Sequence, residues 1–323
     1  MVAKIFIDGE VGTTGLQIRA RLAGREDLRL VSLSDVDRKS PDARRAVLND
    51  VDVAILCLPN EAAYDAVAMI DNPDTRVIDA SSAHRVADGW VYGFPEFERQ
   101  QRDKIATAKR VTNPGCYALS SVAILHPLIK EKVIPTNWPV TINAISGYSG
   151  GGRQMINSFE DVTSPDHTDA AFFAYGLTLQ HKHLPEINTW SGLDHPALFV
   201  PSVGRYRQGM IVQVPLQLWA LPGQPSPADV HKVLTEYYAN CTYVTVAALA
   251  DTATMGTLDP EVLNGSNELR LHVFANAENG QAVVAGVLDN LGKGASGQAV
   301  QNLNIMLGIA EGSGLESNDV LPV

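Results

Sequence analysis

The sequence predicts an α/β protein of two domains: a Rossmann-type nucleotide-binding domain on a parallel sheet, then an α+β domain on a mixed or antiparallel sheet. Three observations predict it. A short β-rich run, Ile5 to Ile7, leads through Gly9, Gly12 and Gly15 into a segment with apolar residues at Leu16, Ile18 and Leu22. Apolar runs then recur at α/β spacing, in "LRLVSLSD" (Leu28 to Asp35), "VDVAILCLP" (Val51 to Pro59) and "RVIDAS" (Arg76 to Ser81). Further on, the strand-like runs "PVTINAIS", "GMIVQVPLQLWA" and "ELRLHVFANA" support a second, mixed or antiparallel sheet.

The first element carries the nucleotide signal. A glycine loop between a first strand and a helix lets the backbone approach a pyrophosphate, which the helix N-terminus then holds. The spacing is G-x-x-G-x-x-G rather than G-x-G-x-x-G, and a tight turn without ligand is the bland alternative. About 20 residues on, where such a fold contacts the adenosine ribose, the chain reads "SLSDVDRKS". Ser34, Arg38 and Lys39 are candidates to receive a 2′-phosphate, which favours NADP over NAD, while Asp35 points the other way.

The stretch "VTNPGCYALSSVAIL" follows. Pro114 and Gly115 make a turn, and Ala118, Val122 and Leu125 have helical spacing, so Cys116 is expected at a helix N-terminus. There the unpaired N–H groups and the dipole favour an anion such as a thiolate. A small buried residue is the competing reading for Cys116.

In "AISGYSGGGRQ" exposed amides would form an anion-binding nest with Arg153 nearby, unless the segment is only a flexible hairpin or linker. "LQHKHLPEI" holds His181 and His183, with Glu186 three residues beyond the second. A metal site is disfavoured because no further ligands have the right spacing. A histidine that moves a proton beside a cysteine nucleophile fits better. Nucleotide, cysteine and histidine together suit reduction of an acyl phosphate through a thioester.

Composition excludes other classes. A net charge of −11 argues against a nucleic-acid-binding surface. Cys57, Cys116 and Cys241 are widely spaced with no C-x-x-C, which suits a reducing cytosol. No apolar run approaches the length of a membrane span and no signal-peptide core is visible, so a cytoplasmic protein is expected. The closing "EGSGLESNDVLPV" is expected to be loosely held.

The motifs "GEVGTTG", "DASSAHR", "VYGFPE", "NPGCY", "SGYSGGG", "HKHLPEI" and "DNLGKGASGQAVQN", in this order, resemble the N-acetyl-γ-glutamyl-phosphate reductase family, in its shorter, type 2 form. The resemblance runs from Gly9 to Asn302. It implies a semialdehyde dehydrogenase-like fold and NADPH-dependent reduction of N-acetylglutamyl phosphate to the semialdehyde, in arginine biosynthesis. Alternatives are a reductase of aminoadipyl or aspartyl phosphate, or an NADP-binding sensor without catalysis.

It further implies that Cys116 is the nucleophile and that His183, with His181 as second choice, is the acid/base. Gly9, Gly12, Thr13, Thr14, Gly15, Ser34, Arg38, Lys39 and Pro59 would serve the cofactor, with Ser81, Asn290 and Gly294. Ser81, Ser82 and Arg85 would lie towards the phosphate. Asn113, Ser149, Gly150, Gly151 and Glu186 would shape the substrate pocket. No metal is implied. Domain limits follow as 1–115 with a last helix from about 294–323, and 116–293 for catalysis and assembly into a homodimer or homotetramer. Val300, Leu303, Leu307 and Ala310 would form one apolar face of that last helix.

Overall fold

A computed structural model describes residues 2–315, so the final residues of the C-terminal tail lie outside the described part. The chain divides into two compact units, residues 1–115 with 295–323, and 116–294.

The first unit runs β1 (Ala3–Asp8), α1 (Thr13–Leu22), β2 (Leu28–Val31), α2 (Pro41–Leu48), β3 (Val53–Leu56), α3 (Asn60–Ala68), β4 (Arg76–Asp79), β5 (Val91–Tyr92), α4 (Gln101–Thr107) and β6 (Arg110–Thr112). Its six strands are ordered β2-β1-β3-β4-β6-β5 and every pair is parallel. Strand order reverses between β1 and β3, the switch point at which open α/β sheets bind ligands. β3 is buried at all four positions, as a continuous apolar run in a covered parallel sheet should be.

The second unit runs α5 (Cys116–Lys130), β7 (Thr141–Gly147), α6 (Gly152–Glu160), β8 (Phe172–Ala174), α7 (Leu184–Ser191), β9 (Leu198–Gly204), β10 (Met210–Gln217), α8 (Pro227–Tyr238), β11 (Val244–Val246), α9 (Leu249–Thr252), β12 (Leu269–Asn276) and β13 (Gln281–Leu288). Its sheet is mixed, in the order β11-β12-β13-β10-β7-β9-β8. Val212, Val214 and Leu216 of β10 are buried while Gln213, Pro215 and Gln217 between them are exposed, the period-2 pattern of a sheet covered on one face. α5 packs against β10 and β13 and also against α7 and α8. It is buried on nearly every side, which a helix with so few charged residues requires.

The last helix, α10 (Gly297–Leu307), returns to the first unit and packs on α1, α4 and β4. The single apolar face expected of it is corrected by the structure. Val300 and Leu303 are buried, but so are Gln298, Gln301, Asn302 and Asn304. Gly308 then ends the helix with φ 68°, leaving Leu307 half-buried and Ala310 exposed. The buried amides find partners: Asn304 donates to the carbonyls of Glu311 and Ser313, each at 2.9 Å. These bonds, with the burial of Leu315, hold the first part of the tail that was expected to be loose.

Candidate active site

In the first unit, Gly9 leaves β1 at φ +90°, and a Cβ there would lie 2.4 Å from the Cys57 carbonyl oxygen. A Cβ on Gly15 would lie 2.4 Å from the Gly9 carbonyl, so the loop can fold against its own helix only without one. Gly12 is the N-cap of α1, and Thr13, Thr14 and Gly15 form its first turn. Their amides belong to the set that lacks intrahelical acceptors, the arrangement a pyrophosphate uses. This loop fits a dinucleotide. Pro59 is the N-cap of α3, just past the end of β3.

The ribose-end cluster is less pooled than its sequence suggests. Arg38 pairs with Asp35 at 2.8 Å, and Ser34 donates its hydroxyl to Asp37 at 2.7 Å. The first charge is thus shared and the hydroxyl is turned into its own loop. Arg19 donates to Ser32 at 2.9 Å, just past the end of β2, and also pairs with Glu10.

The segment after β4 is a dense network. Asp79 is fully buried; one carboxylate oxygen accepts the Ser81 amide at 2.8 Å, the other the Ser81 hydroxyl at 2.8 Å and faces His84 Nδ1 at 2.6 Å. The His84 ring stacks on Trp90, with centroids 4.1 Å apart, and meets Tyr64 edge-on at 5.0 Å. Ser82 donates to Asn60 at 3.0 Å. Arg85 is buried and donates to the carbonyls of Asn113, at 3.1 Å, and Ala80, at 3.3 Å. Asn113 is clamped: its N–H donates to the Asp79 carbonyl at 2.7 Å, its side-chain amide to Ala295 at 2.9 Å, and its side-chain oxygen accepts from Asn302 at 3.1 Å. Sequence reasoning passed over His84; the available signal was an acid and a histidine five residues apart, straddling a strand end.

In the second unit, Cys116 is the first residue of the 15-residue α5. Helix polarity there favours the thiolate. Tyr117 beside it is buried and donates to the Ser202 carbonyl at 3.2 Å. The Tyr175 hydroxyl donates to the Tyr117 hydroxyl at 3.3 Å and faces His181 Nε2 at 3.5 Å. Burial raises both phenols, Tyr175 to about 12, and the nearby Cys116 charge adds to each. The phenols therefore remain protonated donors throughout the neutral range. His181 Nδ1 accepts the His183 amide at 3.1 Å, which leaves the neutral ring's proton on Nε2. A chain of donors thus runs from the His183 amide through His181, Tyr175 and Tyr117 to a backbone carbonyl. His183 is buried at the N-cap of α7, its ring centre 4.8 Å from that of His181 and 5.9 Å from that of Tyr117. Glu186, also buried, lies in the first turn of α7. Neither Tyr117 nor Tyr175 was singled out by their sequence, since a tyrosine has no spacing signature.

The glycine-rich segment is tied down at its start rather than a flexible hairpin. The amides of Gly147, Tyr148 and Ser149 donate to the carbonyls of Gly209, Tyr206 and Arg207 at 2.9–3.0 Å, and α6 begins at Gly152. Gly150, Gly151 and Arg153 remain exposed. Asn290 ties this turn down: its amide nitrogen donates to Ser149 at 3.1 Å and its oxygen accepts the Gly209 amide at 2.7 Å.

Comparison with known proteins matches this organisation. Residues 9–105 match the semialdehyde dehydrogenase NAD binding domain, and residues 116–290 match the semialdehyde dehydrogenase dimerisation domain. N-acetyl-gamma-glutamyl-phosphate reductase 2 of Pseudomonas putida is 51% identical over 311 residues, covering 96% of this chain and 98% of that one. The reductase of Burkholderia ambifaria is 53% identical over 306 residues, covering 95% and 96%.

The chain belongs to the N-acetyl-gamma-glutamyl-phosphate reductase family.

The resemblance of the motifs is thereby borne out, and with it the α/β fold and a nicotinamide cofactor domain. Among solved structures, a probable aspartate-semialdehyde dehydrogenase from Pseudomonas aeruginosa superposes with a TM-score of 0.68 at 16% identity, over 95% of this chain and 99% of that one. Aspartate semialdehyde dehydrogenase II of Vibrio cholerae gives 0.67 at 13% identity, over 95% and 99%. At such identity the likeness concerns the fold. Among the described residues, no helix is long and apolar enough to cross a membrane.

Proposed function

We propose that this protein reduces N-acetylglutamyl phosphate to N-acetylglutamate semialdehyde and phosphate, with NADPH as the hydride donor and a thioester on Cys116 as the intermediate, in arginine biosynthesis. The observation that carries the reading is the setting of Cys116 at the N-terminus of a long buried helix, within the electrostatic reach of two protonated phenols. The Cys116 thiolate attacks the acyl carbon and phosphate departs. Held by the glycine loop from Gly9 to Gly15, NADPH would supply the hydride that reduces the thioester, and Cys116 would then leave as thiolate as the aldehyde forms.

His183 is the proton carrier in this proposal. The backbone bond to Nδ1 of His181 supports that choice, because His181 then already carries its proton on Nε2 and takes up another only by breaking that bond. His181 instead orients the phenols, and Glu186 supports the His183 end of α7. Gly9 to Gly15 cradle the pyrophosphate. Arg38 and Lys39 select the 2′-phosphate, since the exposed Arg38–Asp35 pair is worth only about 0–1 kcal/mol and yields to a better anion. Assembly as a homodimer or homotetramer, and a cytoplasmic setting, belong to the same proposal. The uncovered face of the second sheet, with Gln213, Pro215 and Leu198 exposed, supports self-association.

The test is phosphate-dependent reduction of NADP by N-acetylglutamate semialdehyde. Cys116→Ser should fall below a few per cent of wild-type activity while NADPH still binds, measured by fluorescence. A serine variant that retains turnover removes covalent catalysis from the reading.

A further inference from the structure

We propose that Asp289 is a positioning residue for Cys116, its buried carboxylate fixing the turn against which the nucleophile rests; this rests on Cys116 acting as proposed above. Asp289 directly follows β13 and has no exposed surface. A carboxylate at that depth has to be satisfied by donors, and three N–H groups serve it. One oxygen accepts the Leu291 amide at 2.9 Å. The other accepts the Gln208 side-chain amide at 2.6 Å and the Gly265 amide at 2.9 Å.

These bonds join three segments that are far apart in the chain. Gln208 lies just before β10, and its carbonyl accepts the Asn264 side-chain amide at 2.9 Å. Gly265 lies in the segment leading to β12, next to Leu263, which packs on Ile211 and Val287 of the sheet. Leu291 belongs to the 289–294 turn itself. Asn290 in the same turn accepts the Gly209 amide at 2.7 Å, so two neighbouring side chains grip the 208–209 pair.

The far end of the turn carries the consequence. The Gly294 amide donates to the Asp289 carbonyl at 2.9 Å, and Gly294 backs onto the nucleophile, with a Cβ built there only 2.7 Å from Cys116 Cβ. A turn that shifts inward therefore pushes Cys116, and one that shifts outward leaves it unsupported. Misplacing a reacting group by about 1 Å can cost about 100-fold in rate. Asp289 thus acts on the reaction through Leu291 and Gly294, without touching the reacting atoms.

The experiment uses full-length enzyme in the phosphate-dependent oxidation, with iodoacetamide labelling of Cys116 at pH 7–8 as a second readout that needs no substrate. Asp289→Ala removes every acceptor. Asp289→Asn keeps an oxygen for Leu291 and can pair with Gln208 once that amide turns over, so it loses only the Gly265 bond. In Asp289→Ala, kcat should fall about 10–100-fold and labelling should slow several-fold, with KM for NADP near wild type; Asp289→Asn should fall between. All rates are measured well below each variant's melting temperature. A merely structural carboxylate would lower the melting temperature and leave kcat and labelling of the folded enzyme at wild type, and that result in Asp289→Ala overturns the inference. So does a loss carried by KM for NADP, or an Asp289→Asn enzyme no better than Asp289→Ala. If Asp289→Ala does not fold, Asp289→Asn decides alone: kcat lowered at least about threefold with slower labelling upholds the inference, and wild-type values overturn it. Should wild-type enzyme show no phosphate-dependent oxidation at all, the reaction itself fails, while the labelling rates still test the positioning of Cys116.

Discussion

Gly294 lies directly behind Cys116: a Cβ built on Gly294 would stand 2.7 Å from Cys116 Cβ and 3.1 Å from the Leu288 side chain. The glycine is thus what allows the start of α5 to sit where it does. Gly294→Ala should displace Cys116, lowering kcat at least tenfold and costing about 1–3 kcal/mol of stability through overpacking. Steady-state kinetics and thermal unfolding on the same preparation check both. Wild-type kcat in a stably folded Gly294→Ala enzyme would contradict the contact.

The two histidines should separate by pH profile. His183→Asn is expected to lower kcat by about 10²–10⁴-fold and to remove one limb of the pH–rate curve, as loss of a general acid/base does. His181→Asn retains an oxygen that can accept the His183 amide, so it should cost about tenfold and leave both limbs in place. If His181→Asn removes the limb and His183→Asn does not, the assignment reverses.

Thiol reactivity should rank the cysteines. Burial pushes the Cys57 thiol up to about 12, and the charges of Asp79 and Asp8 add to the effect. The sign is clear, because all three disfavour the anion, so the thiolate appears only as pH approaches that value. At pH 8 its thiolate fraction is about 10⁻⁴. Iodoacetamide at pH 7–8 should label Cys116 first and leave Cys57 until denaturant is added, read by peptide mass mapping. Equal labelling rates in the native protein would refute the ranking.

Cofactor choice should respond to the Arg38–Asp35 pair. A charge-assisted bond to the 2′-phosphate contributes about 1.5–3 kcal/mol, so Arg38→Ala should raise KM for NADPH by roughly 10–100-fold and leave NADH almost unchanged. Asp35→Asn releases the guanidinium and should lower KM for NADPH by about twofold to fivefold. A native preference for NADH in kcat/KM would end the NADP reading.

Much of this protein was legible from its sequence, and for local reasons. The strand, glycine loop and helix around Gly9 to Gly15 are encoded by residues that must sit together to form a turn. Cys116 could be placed at a helix start because Pro114 and Gly115 precede an apolar helical pattern. The same locality explains the failures. "SGYSGGG" reads as an open loop because its amides find partners in the 206–209 segment, some 60 residues away. The polar face of α10 reads as solvent-facing because the carbonyls that accept from Asn302 and Asn304 belong to other turns. The tyrosines beside Cys116 carry no periodicity or spacing of their own. Spacing along the chain determines which residues share a turn or a face, but hydrogen bonds across the fold decide which polar atoms are already satisfied and which remain for a ligand.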